Sequence, residues 1–354
     1  MGEQKITYAT INDVAKLAET SAATVSYVLN NNPNKSLRPE TVARVMAAVE
    51  KLNYSKSAVA SSLRSKKRGM VFILVPQFGN IFYTRVCESI EDILFANDIV
   101  PMFCDTRENP ERERRLIESA ISQRVDGIVM GPTARGWENT NVVRQLNIPL
   151  VSIGREFVSD ENDGNTGNTY YVGDDSYQAG YLAGRALMKN GHTRIGFVDW
   201  EGEVTSAKDR RAGFDSAVSE CVNPGIEISR KSSSMLDAET GYQLTKKLMQ
   251  EFKPTAIFFG YHRLAQGGIT YLQEVGYNIP EDVSVILVGT PTWASFSNVP
   301  FAVIDQNEEW IGMTAGKIVS ALLEEKPSQP ILTEHRHICQ CVLHEQKSIK
   351  NLNG

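Results

Sequence analysis

An all-α helix-turn-helix head joined to an α/β domain of two doubly wound lobes is the fold that this sequence predicts. Three short helical patterns fill residues 10–52, with no strand pattern between them. From residue 70, apolar runs of strand length alternate with amphipathic helical patterns, which is typical of parallel sheets covered by helices on both faces. The alternation starts again at Thr169. The α/β part therefore divides into two lobes, and a ligand cleft is expected between them at the carboxyl ends of the strands.

Composition excludes several classes of protein. The chain has 354 residues, enough for two or three domains, and 42% of them are apolar. No run approaches the roughly 18 apolar residues of a membrane helix, and the polar N-terminus does not look like a signal peptide. Five cysteines without a C-x-x-C pair indicate reduced thiols and a cytoplasmic location. G-x-S-x-G, P-loop and G-x-G-x-x-G motifs are lacking, so the sequence predicts neither an enzyme nor a cofactor.

Four potential metal ligands alternate near the C-terminus: His335, His337, Cys339 and Cys341. In a strand all four would face the same way, but the outer two would lie about 20 Å apart at about 3.3 Å per residue. That span is too long for one tetrahedral ion. We therefore expect a half-buried edge strand and no metal site.

Charge is distributed unevenly along the chain. Residues 1–68 contain eleven Lys and Arg against five Asp and Glu, a net charge of +6, whereas the whole chain carries −5. The remainder therefore carries −11. A basic head on an acidic body places any contact with a polyanion at the head.

The head has the spacing of a helix-turn-helix. Thr10 and Asp13 can cap a first helix, Ser21 can cap a second, and Pro39 suits the first turn of a third. An arbitrary three-helix module is the alternative. The second helix argues against it, because its expected exposed positions are small or hydrogen-bonding and include no acid, as a helix in a major groove requires. These positions are Ser21, Ala22, Ala23, Thr24, Ser26, Tyr27 and Asn30.

The ordered series of motifs resembles the lactose/galactose/purine repressor (LacI/GalR) family along nearly the whole chain. The segments that carry the resemblance are TINDVAKLA, SAATVSYVLN, V-x-x-x-V-E-K-L-N-Y, AVASSL, Val125-Asp126-Gly127, Gly191-His192 and Ile279-Pro280-Glu281-Asp282-Val283-Ser284. The resemblance implies a DNA-binding transcription regulator with a periplasmic-binding-protein-like effector domain. It also implies a homodimer on a pseudo-palindromic operator, with repression as the usual mode of regulation.

The resemblance assigns DNA-binding roles position by position. Ser21, Thr24, Ser26 and Asn30 match phosphate contacts, whereas Ala22, Ala23 and Tyr27 match residues that read bases. A hinge helix is expected from Ser57 to Leu63, with Leu63 as a minor-groove wedge; a plain polar linker is the alternative. The full expected DNA-binding set is Thr10, Ser21, Ala22, Ala23, Thr24, Ser26, Tyr27, Asn30, Thr41, Tyr54, Ser57, Ala60 and Leu63. Glu19 departs from the family turn, where a left-handed backbone would cost it roughly 1 kcal/mol.

The expected effector site departs further from the family pattern. Tyr261-His262 and Gly289-Thr290-Pro291-Thr292 stand where sugar-binding members carry Asn-Asp and Gly-aromatic-Asp-Asp. The expected effector-binding set is Phe82, Tyr83, Arg155, Arg210, Tyr261, His262 and Gln306. Arginines without sugar-binding acids favour an anionic effector, such as a sugar phosphate or a carboxylate, held by Arg210 with His262 or Arg155. The alternative is that these arginines pair with acids such as Glu156 or Asp174.

The expected domains are a DNA-binding head (8–55), a hinge helix and linker (56–69) and an effector-binding and dimerisation domain (70–354). Its N-lobe is expected at about 70–162 and 293–322, and its C-lobe at about 163–292 and 323–345. The dimer is expected along both lobes, around the helix Thr84–Ala96, and the tail lacks the leucine heptads of a tetramer. A solute-binding protein would lack a basic head. A regulator blind to ligands, whose lobes serve dimerisation or a protein co-regulator, remains a second hypothesis.

Overall fold

A computed structural model describes residues 9–29, 37–54, 68–157, 168–221, 225–324 and 330–353. The chain forms two compact units that divide between Arg68 and Gly69. No helix in the described ranges is both long and apolar enough to cross a membrane. The expected hinge, from Ser57 to Leu63, lies outside the described residues.

The first unit contains α1 (Ile11–Leu17), α2 (Ala22–Leu29) and α3 (Pro39–Lys51). Thr10 and Asp13 form the expected capping box, in which the Asp13 carboxylate accepts the Thr10 backbone N–H at 2.8 Å. Small and β-branched side chains from the three helices share one core: Val14, Ala15, Ala18, Val25, Val45 and Ala48. Met46, which the helical spacing places in the apolar stripe of α3, is half exposed.

The second unit alternates strands and helices. In chain order it contains β1 (Met70–Val75), α4 (Ile81–Ala96), β2 (Val100–Asp105), α5 (Pro110–Ser122), β3 (Gly127–Met130), α6 (Gly136–Asn139), α7 (Asn141–Gln145), β4 (Leu150–Ile153), β5 (Thr169–Asp174), α8 (Ser176–Lys189), β6 (Arg194–Trp200), α9 (Thr205–Ser219), β7 (Glu227–Ser233), α10 (Ala238–Glu251), β8 (Ala256–Phe259), α11 (His262–Val275), β9 (Ser284–Val288), α12 (Thr292–Phe296), β10 (Ala302–Asp305), α13 (Glu308–Leu322), a 3₁₀ turn (Pro330–Leu332), β11 (Arg336–Cys339) and β12 (Val342–His344).

Two six-stranded sheets organise these elements into the two expected lobes. The first has the order β11-β5-β4-β3-β1-β2 and is parallel throughout. The second has the order β12-β10-β9-β8-β6-β7 and is parallel except for the antiparallel β10–β12 pair. Helices cover both faces, so the central strands carry the unbroken apolar runs of buried parallel strands.

The lobe boundaries expected from the sequence are wrong at three strands. Strand β5 belongs to the first sheet, because it pairs with β4, and β11 joins the same sheet beside β5. Strand β10 belongs to the second sheet, because it pairs with β9. The chain therefore crosses between lobes after Asp174, after Asp305 and after Cys339, because the element that follows each of these strands packs in the other lobe.

Two glycines bring helices α8 and α9 into close contact. A Cβ atom at Gly180 would lie 1.9 Å from the carbonyl oxygen of Arg210, and one at Gly213 would lie 1.9 Å from that of Tyr177. Only a residue without a side chain permits this separation. The crossing places Arg210 on a backbone that is locked against the neighbouring helix.

Candidate nucleic-acid interface and ligand cavity

The N-terminal end of α2 presents hydroxyl groups. The Ser21 Oγ accepts the backbone N–H of Thr24 at 3.1 Å and lies 2.9 Å from the Thr24 hydroxyl. Ser21 and Ala23 are exposed, whereas Thr24 and Tyr27 are half-buried. The N-terminal end of a helix attracts anions, and hydroxyl groups there can donate to phosphate oxygens. Acidic side chains are absent from α2, so its exposed face does not repel a polyanion.

Four further residues of the expected DNA-binding set are buried or half-buried. Ser26 is only 8% exposed, because it lies beside Val25 on the side of α2 that faces the core. Its expected exposure is therefore wrong. Ala22 and Tyr54 are half-buried and pack against the same core. Thr41 is half-buried at the start of α3.

The turn before α2 has the backbone conformation expected for it. Glu19 adopts φ +50°, the left-handed region, where its β-carbon is unfavourable. The other expected DNA-binding positions, Asn30, Ser57, Ala60 and Leu63, lie outside the described residues.

A cavity in the second unit brings together all seven residues of the expected effector set. Its walls are Asn80, Phe82, Tyr83, Gly154, Arg155, Ser206, Arg210, Leu236, Gly260, Tyr261, His262, Val288 and Gln306. They come from helices, strand ends and loops of both lobes, as a cleft between two doubly wound lobes requires. The centre of a water molecule can reach about 40 Å³ of it, which is room for only a few waters. A larger ligand requires the walls to move apart.

Only one of the three guanidinium nitrogens of Arg210 donates a hydrogen bond to a described residue. Its Nη1 donates to the carbonyl oxygen of Gly260 at 2.7 Å. Its Nε is buried and has no hydrogen-bond partner in the described structure. The guanidinium carbon lies 4.6 Å from the ring centroid of Tyr261, whose hydroxyl is also buried without a partner. Burial raises the pKa of Tyr261 to about 12, so at neutral pH this hydroxyl keeps its proton for donation.

Arg155 is already neutralised by an acid that the sequence did not single out. Its Nη1 donates to Glu108 at 2.9 Å and to the Pro132 carbonyl oxygen at 3.1 Å, and its Nη2 donates to the other Glu108 oxygen at 2.5 Å. The ring of Trp200 lies 5.3 Å from its guanidinium carbon. The alternative of an arginine paired with an acid therefore holds for Arg155, although the acid is not Glu156 or Asp174.

His262 lies in the cavity as a neutral imidazole. Burial first, and then the positive charges of nearby arginines, lower the pKa of His262 to about 4. It supplies no cation at neutral pH, so any contribution of His262 to holding an anion beside Arg210 would be a hydrogen bond from its neutral ring. Gln306 is oriented by its Nε2, which donates to the Asp174 carboxylate at 3.1 Å.

The four alternating residues near the C-terminus do not form one strand. Strand β11 ends at Cys339 and β12 starts at Val342 in the other sheet. His335 stacks on Tyr170, while Cys339 and Cys341 are buried. No cluster of three or more candidate metal ligands occurs in the part of the chain that the structure describes.

Two residues that contact Arg155, in the cavity wall, were missed by reading the sequence. Glu108 is 47 residues from Arg155, and no local pattern connects them. Trp200 ends strand β6, and the rule that ligands bind at the carboxyl ends of parallel strands could have found it.

Comparisons with known proteins agree with this architecture. Residues 10–57 match the family model for bacterial regulatory proteins of the lacI family, and residues 185–340 match that of a periplasmic binding protein-like domain. A curated relative, the HTH-type transcriptional repressor PurR of Histophilus somni, is 30% identical over 92% of this chain and 96% of its own.

Two solved structures share the fold, each with a TM-score of 0.80. One is a LacI family transcriptional regulator from Silicibacter pomeroyi, with 24% identity over 97% of this chain and 99% of its own. The other is the lac repressor dimer bound to operator and the anti-inducer ONPF, with 21% identity over 97% of this chain and 100% of its own.

Proposed function

This chain belongs to the lacI family of bacterial regulatory proteins, and we propose that it binds a pseudo-palindromic operator as a homodimer under the control of a small anion. It is a transcriptional repressor with a DNA-binding domain and an effector-binding domain, and it is not an enzyme. The proposal concerns its finer function: the operator contacts, the dimer, the class of effector and action in the cytoplasm.

The exposed face of α2 supports the operator contacts. Ser21 and Thr24 hydroxyls lie at the helix start and are suited to phosphates. Ala23 and Tyr27 follow on the part of α2 that is not fully buried and are suited to base edges in the major groove. A small alanine cannot make a bidentate hydrogen bond, so we propose apolar contact there, for example with a thymine methyl group.

Exposed apolar side chains support the homodimer. Phe95 at the end of α4 and Val100, Met102 and Phe103 on β2 are all exposed. Strand β2 is at the edge of its sheet, and an apolar edge strand left in water favours association. A second copy covering this patch would form the interface expected around α4.

The unused donors of Arg210 carry the proposed effector control. A buried Nε without a partner costs free energy, and an anion that accepts from it would recover that cost. Walls drawn from both lobes would couple binding to the angle between the lobes. That angle would bias the order of the hinge and hence the affinity for the operator.

The decisive experiment selects bound sequences from random duplex DNA with the full-length protein, with and without metabolite pools. We expect one palindromic consensus whose enrichment changes with a pool. Tyr27→Ala should alter or abolish the consensus, whereas Met46→Ala, at an exposed residue of α3, should preserve it. Equal binding of selected and random duplexes at physiological salt would exclude sequence-specific recognition.

A regulator blind to ligands is the second candidate, and the narrow cavity favours it. Thermal unfolding with panels of neutral, carboxylated and phosphorylated metabolites separates the two. Stabilisation that disappears in Arg210→Met supports the sensor. Stabilisation by neutral sugars alone contradicts the anion, and no stabilisation by any compound favours the regulator blind to ligands.

A further inference from the structure

Glu108, a residue outside the cavity walls, forms an ion pair with one of the two arginines that line the cavity. Among the residues that line the cavity, the ionised side chains at neutral pH are Arg155 and Arg210, and none is an Asp or Glu. The two arginines differ in what they already bind. Arg155 faces Glu108 through both of its terminal nitrogens, whereas Arg210 donates only to a neutral carbonyl.

Glu108 is held in place by an unusual backbone. Arg107 and Glu108 are consecutive non-glycine residues with φ +53°. The loop is fixed by the Arg107 N–H, which donates to the Asp105 carboxylate at 2.8 Å, and by the Glu108 N–H, which donates to the Pro76 carbonyl oxygen at 3.1 Å. Left-handed residues other than glycine carry strain that the surrounding structure must hold. Here the strained loop delivers a carboxylate to Arg155.

The open edge of Arg210 matches a carboxylate. Its Nη1 is occupied by Gly260, and neither Nε nor Nη2 donates to any described residue. These two nitrogens form the side-on edge of the guanidinium, which binds the two oxygens of a carboxylate. The nearby Asp199 carboxylate forms its ion pair with Arg211, at 3.4 Å, and accepts no hydrogen bond from Arg210.

We infer that Glu108 sets the charge selectivity of the cavity, which therefore takes a carboxylate monoanion in preference to a phosphate dianion. With Arg155 neutralised by Glu108 and His262 uncharged, Arg210 is the one cation on the described walls whose guanidinium donates to no carboxylate. A second negative charge would be desolvated without a partner, which is costly. Glu108 contacts no ligand in this scheme, and it acts by occupying Arg155. The inference rests on the anionic effector proposed above.

The test compares matched probes on the full-length protein by titration calorimetry at pH 8. Acetate and methyl phosphate form the small pair, and benzoate and phenyl phosphate form the larger pair. The phosphate esters carry close to two charges at this pH. We expect the wild type to bind each carboxylate on the order of tenfold more tightly than its phosphate partner.

Glu108→Gln should invert this ratio, because Arg155 then becomes available to the second charge. The double variant Glu108→Gln/Arg155→Gln removes both charges and should restore preference for the carboxylate. Glu138→Gln, at an exposed glutamate paired with Arg135, controls for removal of one acid and should behave as wild type. If Glu108→Gln does not fold, Glu108→Asp retracts the carboxylate and should shift the ratio in the same direction.

A ratio that stays within twofold of wild type in the Glu108 variants overturns the inference, and so does a wild-type preference for the phosphates. Binding of no probe by any variant overturns it together with the anionic effector. Operator selection by the same proteins is read separately. Its loss in the wild type would contradict the proposed DNA recognition without altering the ratio of probe affinities.

Discussion

Acid should destabilise this protein partly through His262, which is 8% exposed and lies in the cavity. Burial and neighbouring arginines lower its pKa from 6.5 to about 4 in the folded chain. Between these values the unfolded chain binds more protons than the folded one, so stability falls as the pH falls through this window. At about 1.4 kcal/mol per pKa unit, the full loss is about 3 kcal/mol.

The measurement is the free energy of unfolding from urea titrations between pH 7 and pH 4.5. His262→Asn should lose about 2 kcal/mol less stability than wild type over this range, because asparagine takes up no proton. His335→Asn, at an exposed histidine, is the matched control. Buried carboxylates titrate in all three proteins, so only the difference between them is informative. Parallel loss in wild type and His262→Asn would refute the assigned cause.

Further substitutions test the local geometry by urea unfolding. Glu19→Gly should stabilise the head by about 1 kcal/mol, because glycine tolerates φ +50°; no gain would contradict strain at this turn. Gly180→Ala should cost about 1–3 kcal/mol and weaken binding of any Arg210-dependent ligand, because its methyl group would meet the Arg210 carbonyl oxygen. Ser348→Ala should cost about 1–3 kcal/mol, because the buried hydroxyl donates to the Val285 carbonyl oxygen at 2.6 Å and accepts the Ala302 N–H at 2.8 Å. A cost below 0.5 kcal/mol would show that water replaces those bonds.

Local sequence patterns were sufficient to predict the helices of the head and the order of most elements along the chain. The Thr10–Asp13 capping box, Pro39 at a helix start and the apolar runs of the strands each act over a few residues. Such short-range signals are visible in one dimension. Strand β7 had no such signal, because its sequence, EISRKSS, is polar and lies at a sheet edge.

Local sequence patterns did not predict which strands pair when they are far apart in the chain. The alternation of strands and helices indicated two lobes, but it did not say that β5 and β11 belong to the first sheet or that β10 belongs to the second. Each apolar strand can fill a buried position in either sheet. The choice depends on which neighbour it meets after the chain has crossed.

For the candidate cavity too, the sequence predicted some features, whereas others depend on tertiary contacts. Its seven expected residues could be named with the help of the family resemblance, and all seven line one space. Their electrostatic state could not be named, because it depends on contacts between residues far apart in the chain. Glu108 neutralises Arg155 across 47 positions, and burial keeps His262 uncharged. Composition and periodicity therefore settle which elements form, since those signals are local, whereas the charge presented to a ligand emerges only when remote side chains are packed together and removed from water.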